Sequence, residues 1–98
     1  MNTATGNLRL LAADMSGRME QTEQQLRKAA DEAGIWITGD GRIGEIDLAQ
    51  LLGYAPVTLA NRRREGKAPP AYRLGTRGGS RVTYRLAEVA RWIEATRE

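Results

Sequence analysis

Two short helical patterns, Glu45 to Leu52 and the segment from Pro56 through the arginines to Gly66, are separated by only about three residues, and that spacing constrains the chain more than any other feature. In the first, Ile46, Leu48, Ala49, Leu51 and Leu52 are apolar, and Gly53 stops the pattern. In the second, Pro56 suits the first turn of a helix, where its missing N–H costs nothing. A joint this short forces the helices to cross closely. The crossing needs a small side chain, which Ala49 supplies, and the turn needs a residue that takes positive φ without steric penalty, which Gly53 does. Leu48, Leu52 and Leu59 supply apolar contacts between the two helices. An ordinary αα-hairpin can share this punctuation, so the segment C-terminal to it decides between the two folds.

After Gly66, Pro69-Pro70 prevents helix and imposes an extended course. Ala71 to Leu74 and Val82 to Arg85 are strand candidates around a glycine-rich tip from Gly75 to Ser80, which reads as a hairpin. Leu86 to Thr96 closes the chain as a helix, with Leu86, Val89, Ala90 and Ile93 as an apolar stripe and Trp92 on its edge. Two close helices followed by a hairpin predict a winged helix-turn-helix. Upstream, Ile35-Trp36-Ile37-Thr38 reads as a short strand with a turn at Gly39-Asp40-Gly41. Leu8 to Ala33 is helical in character, with Leu8, Leu11, Met15, Met19, Thr22, Leu26, Ala29 and Ala33 as a narrow seam. Gly17 interrupts it, giving one kinked helix or two shorter ones; Gly34 ends it, and Met1 to Gly6 reads as a frayed end. The expected fold is α+β: residues 1–34 as a tail and added helical segment available for oligomerisation, and residues 35–98 as a winged helix-turn-helix with a small β-hairpin wing.

Charge is placed unevenly. Met1 to Asp47 holds five basic and eight acidic residues, a net of −3, whereas Leu48 to Glu98 holds ten basic and four acidic, a net of +6. Within Tyr54 to Arg85 eight cations (Arg62, Arg63, Arg64, Lys67, Arg73, Arg77, Arg81 and Arg85) face only Glu65. A field focused in this way favours a polyanion; the alternative is a solvated basic face that binds none. With 98 residues, no cysteine and no histidine, the chain has room for one small domain and no common zinc ligands. No window approaches the roughly 18 apolar residues of a membrane span, so a cytoplasmic, nucleoid-associated location is expected.

The stretch DLAQLLGYAPVTLANRRREGKAPPAYRLGTRGGSRVTYRLAEVARWIEA resembles the MerR-superfamily winged helix domains of phage and mobile-element excisionases and AlpA-like regulators. LAQLLG corresponds to the first helix, TLANRRREG to the second, SRVTYR to the return strand of the wing and Trp92 to the last helix, so the resemblance covers roughly Ile43 to Ala95. The chain departs from the pattern at Arg62, where an aromatic residue is usual, and at Ala55, where a capping serine is common. The resemblance implies an excisionase-like role in recombination directionality or a small mobile-element regulator, with an integrase or other phage protein as a further partner. Small terminase subunits look similar over the same stretch.

With Leu59 facing the core, a turn of about 100° per residue puts Val57, Asn61 and Arg64 on the opposite side, flanked by Thr58 and Ala60. Asn61 is suited to adenine and Arg64 to guanine, and Thr58 to a thymine methyl or a phosphate. Arg62 and Arg63 fall toward the protein side, their heads reaching for phosphates, and Lys67 adds charge to the same segment. The alternative for the triple arginine is a solvated helix end that complements the helix dipole. Arg77 and Arg81 bracket the wing tip, placed for a phosphate or the minor groove; a loop kept soluble by charge is the alternative. Trp36, Tyr72, Tyr84 and Trp92 read as core or core-edge residues rather than base-stacking platforms.

Hydrolytic triads and thiol nucleophiles are excluded without histidine or cysteine, and the Gly75 to Gly79 loop lacks the lysine and Ser/Thr of a phosphate-binding loop. Asp40, Glu45 and Asp47 fit a turn and a negatively charged helix start better than a cation site. The expectation is therefore a protein without enzymatic activity or cofactor that binds double-stranded DNA sequence-selectively, as several copies on adjacent sites. The alternative from another class is an interaction adaptor that uses the Leu8 to Ala33 seam.

Overall fold

A computed structural model describes residues 3–76 and 79–96. In chain order the elements are α1 (Thr3–Glu32), β1 (Arg42–Gly44), α2 (Glu45–Leu52), α3 (Pro56–Arg64), β2 (Tyr72–Thr76), β3 (Gly79–Arg85) and α4 (Leu86–Ala95). The architecture is α+β, with four helices on a small antiparallel sheet of order β1-β3-β2, compatible with a winged helix.

The α2–α3 pair forms where the spacing predicted it. Gly53 takes φ 77° and ψ 21°, the Gly53 N–H donates to Gln50 O, and the Tyr54 N–H reaches back to Ala49 O at 2.8 Å. These bonds satisfy carbonyls that a helix end would otherwise leave open. Ala49, Leu48 and Leu59 are fully buried, so the two helices meet across a small residue flanked by leucines. Pro56 opens α3 after Ala55, whose side chain makes no cap.

β3 is the central strand. It pairs with β2 from Tyr72↔Thr83 to Thr76↔Gly79 and with β1 through Arg42↔Arg85, Ile43↔Tyr84 and Gly44↔Thr83. The core gathers Leu26, Ile43, Leu48, Ala49, Leu59, Tyr84, Leu86 and Val89 from the helices and the sheet. Leu26 belongs to α1, whose second half packs along α4 and contributes Ala30 as a further buried residue.

Four sequence expectations are corrected. Ile35–Thr38 is not a strand. Ile35 and Ile37 alternate inward against the core as a strand would, but one edge of β3 is taken by β2 and the other by β1 at Arg42–Gly44, so no ladder partner remains for them. Thr38 instead closes the turn, its N–H donating to Arg42 O and its hydroxyl accepting from the Arg42 N–H. Trp36, between the two isoleucines, is 67% exposed rather than a core-edge residue. The hairpin strands run longer than expected, to Thr76 and from Gly79, so Arg81 sits within β3 opposite Leu74 and not on a loop. Lastly, α1 is continuous through Gly17 and includes Thr3–Gly6, the segment expected to fray.

Candidate nucleic-acid interface

The outward face of α3 is assembled as the helical wheel required. Leu59 is fully buried, whereas Val57 (63% exposed), Thr58 and Asn61 are open to solvent along with Arg64. Arg64 Nη1 donates to Asn61 Oδ1 at 3.2 Å, so the two groups best suited to base edges sit side by side one turn apart. Lys67 follows the helix at 67% side-chain exposure, 3.7 Å from Glu65. The amides of Gly66 and Lys67 close the end of α3 on Arg63 O and Arg62 O, which fixes where the lysine leaves the helix.

Arg63 is directed elsewhere. Its Nε and Nη2 fork onto Glu45, at 2.6 Å and 3.3 Å, and the Tyr84 hydroxyl donates to the same carboxylate at 2.5 Å. One carboxylate on the first turn of α2 thus ties α3 to the central strand. Burial pushes the Glu45 carboxyl up, but the hydrogen bonds from Arg63 and Tyr84 outweigh it and hold the carboxyl below its ordinary range. The Tyr84 phenol is raised well above its usual value by burial and by the Glu45 charge it faces. Arg63 therefore orients α3 from within the protein, a role that the phosphate assignment did not include.

Arg62 also turns inward. Its guanidinium carbon lies 5.5 Å from the centre of the ring of Tyr54, which precedes α3. At the position where the resembled domains carry an aromatic residue, this chain therefore stacks an arginine on a neighbouring tyrosine.

On the hairpin, Arg81 is 51% exposed and lies 3.8 Å from Asp47 on α2. Its guanidinium crosses Gly44 so closely that an added Cβ would come within 2.7 Å of Nη2. Arg77 lies outside the described residues. Arg85 stacks 5.0 Å over Tyr72, whose hydroxyl donates to Glu88 at 2.6 Å, and this fixes the base of the hairpin to α4. Tyr84 is buried and Trp92 half-buried, as their sequence setting suggested, whereas Tyr72, at 36%, is exposed.

Among the described residues, no group of three or more acidic, histidine or cysteine side chains is arranged to hold a metal ion, and no helix is long and apolar enough to cross a membrane. Glu45 and Asp47 face arginines, and Asp40 is tied to Thr38 and Arg42, which lowers its carboxyl below the ordinary range. No local pattern announces Glu45 as the link between α3 and β3, because its partners lie 18 and 39 residues away. Compared with protein-family models, curated proteins and solved structures, the chain has no match in any of the three.

Proposed function

We propose that this protein binds double-stranded DNA sequence-selectively, with α3 in the major groove and the β2–β3 hairpin alongside it as a wing. The observation that carries the reading is the outward face of α3: Val57, Thr58, Asn61 and Arg64 are all solvent-exposed on a helix whose opposite side is fixed by Leu59 and the Arg63–Glu45 fork. Such a face offers one bidentate group for adenine, one for guanine and methyl surface for thymine, on a rigid support. Lys67, Arg73 and Arg81 supply exposed charge for phosphates. The resemblance to excisionase and AlpA-like domains supports a role in recombination directionality or regulation of mobile-element genes, with copies on adjacent sites and no cofactor. An integrase is then the natural protein partner. The corresponding location is cytoplasmic, on the nucleoid.

The test is a duplex titration over a range of salt. Arg62 and Arg63 turn inward and Arg64 is given to a base edge, which leaves Lys67, Arg73 and Arg81 for phosphate, about three contacts per protomer. The slope of log K against log[salt] is expected at about −3 for a protomer. A flat response, or no duplex binding at low salt, rejects the reading.

A further inference from the structure

Gly44 stands where its own backbone does not ask for glycine. Its φ of −69° and ψ of 156° are ordinary extended values open to any residue. It occupies the N-cap of α2, where a serine or aspartate would satisfy a free N–H, and α2 accordingly begins without a side-chain cap. What the missing side chain provides is space. An added Cβ would lie 2.7 Å from Nη2, 3.1 Å from Nε and 3.2 Å from Cζ of Arg81, so the guanidinium rests flat against buried Gly44. Arg81 reaches this seat from β3, two residues before Thr83, which pairs with Gly44 and shares its sheet face.

Beside the seat is Asp47, on the first turn of α2 and 3.8 Å from Arg81 Nη2. Glu45 lines the same hollow as Arg81 but is taken by Arg63 and Tyr84, so Asp47 is the acid that the arginine meets. The pair is open to water, with side chains 51% and 32% exposed, and an ion pair this long and exposed adds little to folding. It does change what Arg81 offers to DNA. A guanidinium engaged by a carboxylate must exchange that partner for a phosphate, and the displaced carboxylate stays close enough to repel the newcomer. We propose that Asp47 restrains the wing, competing with DNA phosphate for Arg81 and so holding general duplex affinity down. This inference rests on the duplex reading above and deepens it. A phosphate contact carries no sequence information, so the restraint acts alike on preferred and random duplexes and leaves discrimination to α3.

The experiment is a double-mutant cycle on the 98-residue chain, read as anisotropy of a labelled random-sequence duplex at fixed low salt. Asp47→Asn should bind the duplex about three- to tenfold more tightly than the unsubstituted protein. In an Arg81→Gln background the same substitution should gain less than half as much, because the competition it relieves is gone. In a Lys67→Gln background the gain should persist in full, since Lys67 lies beside Glu65 and not Asp47. Asp47→Ala should match Asp47→Asn, with melting temperatures showing that both fold, and it carries the cycle if the asparagine variant does not. Duplex binding without a gain, or with the same gain in the Arg81→Gln background, overturns the restraint alone and leaves the duplex reading standing. No duplex binding by the unsubstituted chain rejects that reading and the restraint with it.

Discussion

Glu45 shows how much one side chain can organise in a chain this small. It starts α2, where a negative charge complements the helix dipole, and it receives Arg63 from α3 and Tyr84 from β3. Replacing it by glutamine removes charge-assisted bonds worth about 1 to 3 kcal/mol together and leaves Arg63 without its counter-charge. The pH dependence has a definite sign. The Glu45 carboxyl is lowered in the folded state, so its stabilisation is fully present above its unfolded value and is lost as pH falls through the lower folded one. Urea denaturation at a series of pH values should therefore show a large deficit for Glu45→Gln at pH 7 that narrows below about pH 4.5. A deficit independent of pH would assign the loss to packing rather than charge. The composition of the basic window announced eight cations but not their directions. Arg62, Arg63 and Arg64 are adjacent in sequence, yet one stacks on Tyr54, one forks onto Glu45 and one lies beside Asn61.

At the scale of elements, the features legible in the sequence were those set by local sterics. Gly53, Pro56 and the apolar spacing of Leu48, Ala49 and Leu59 defined α2 and α3 because each acts within a turn or two. The β1 strand was misplaced because Ile35–Thr38 carries the better strand composition, while pairing went to Arg42–Gly44, which includes only one large apolar residue. Competition for the free edge of β3 is a tertiary matter that propensity does not register. Gly17 is a local case with a testable consequence. It lies inside continuous helix, and a Cβ built there meets nothing within 4 Å. Gly17→Ala is expected to raise stability by about 0.5 to 1 kcal/mol, seen as a higher urea midpoint with an unchanged m-value. The two elements of the proposed interface should also separate by experiment. Asn61→Ala and Arg64→Ala should weaken a preferred duplex by about 1 to 3 kcal/mol and leave random DNA nearly unaffected. Arg81→Ala should lower both together and make the salt slope shallower by about one. In a competition titration, loss of discrimination by the Arg81 variant alone would move the reading element from α3 to the wing.

For the whole molecule, the decisive question is what α1 is for. Its 30 residues span about 45 Å at 1.5 Å per residue, three times the length of α4, against which it packs. The molecule measures 62 × 30 × 24 Å, elongated as a long helix on a small body would make it. The second half of α1 belongs to the core, since Leu26 and Ala30 are buried and Thr22 bonds Glu94 on α4. The first half continues the sequence seam through Leu8, Leu11 and Met15, and Met15 is 42% exposed. A narrow apolar stripe of this kind is suited to pairing with the same stripe on a second copy. Two truncations distinguish the halves. A chain beginning at Met15 should keep its melting temperature within a few degrees and its cooperative unfolding, and should lose an oligomer that sedimentation equilibrium detects in the full-length protein. A chain beginning at Gly34 should lose cooperative unfolding as well, because it removes Leu26 from the core cluster and the small core cannot absorb a loss of about 2 to 5 kcal/mol from one leucine site alone. If the shorter chain melts as sharply as the full protein, α1 is an appendage to a self-sufficient winged helix. If the 98-residue chain is monomeric at every concentration tested, the α1 stripe does not mediate self-association.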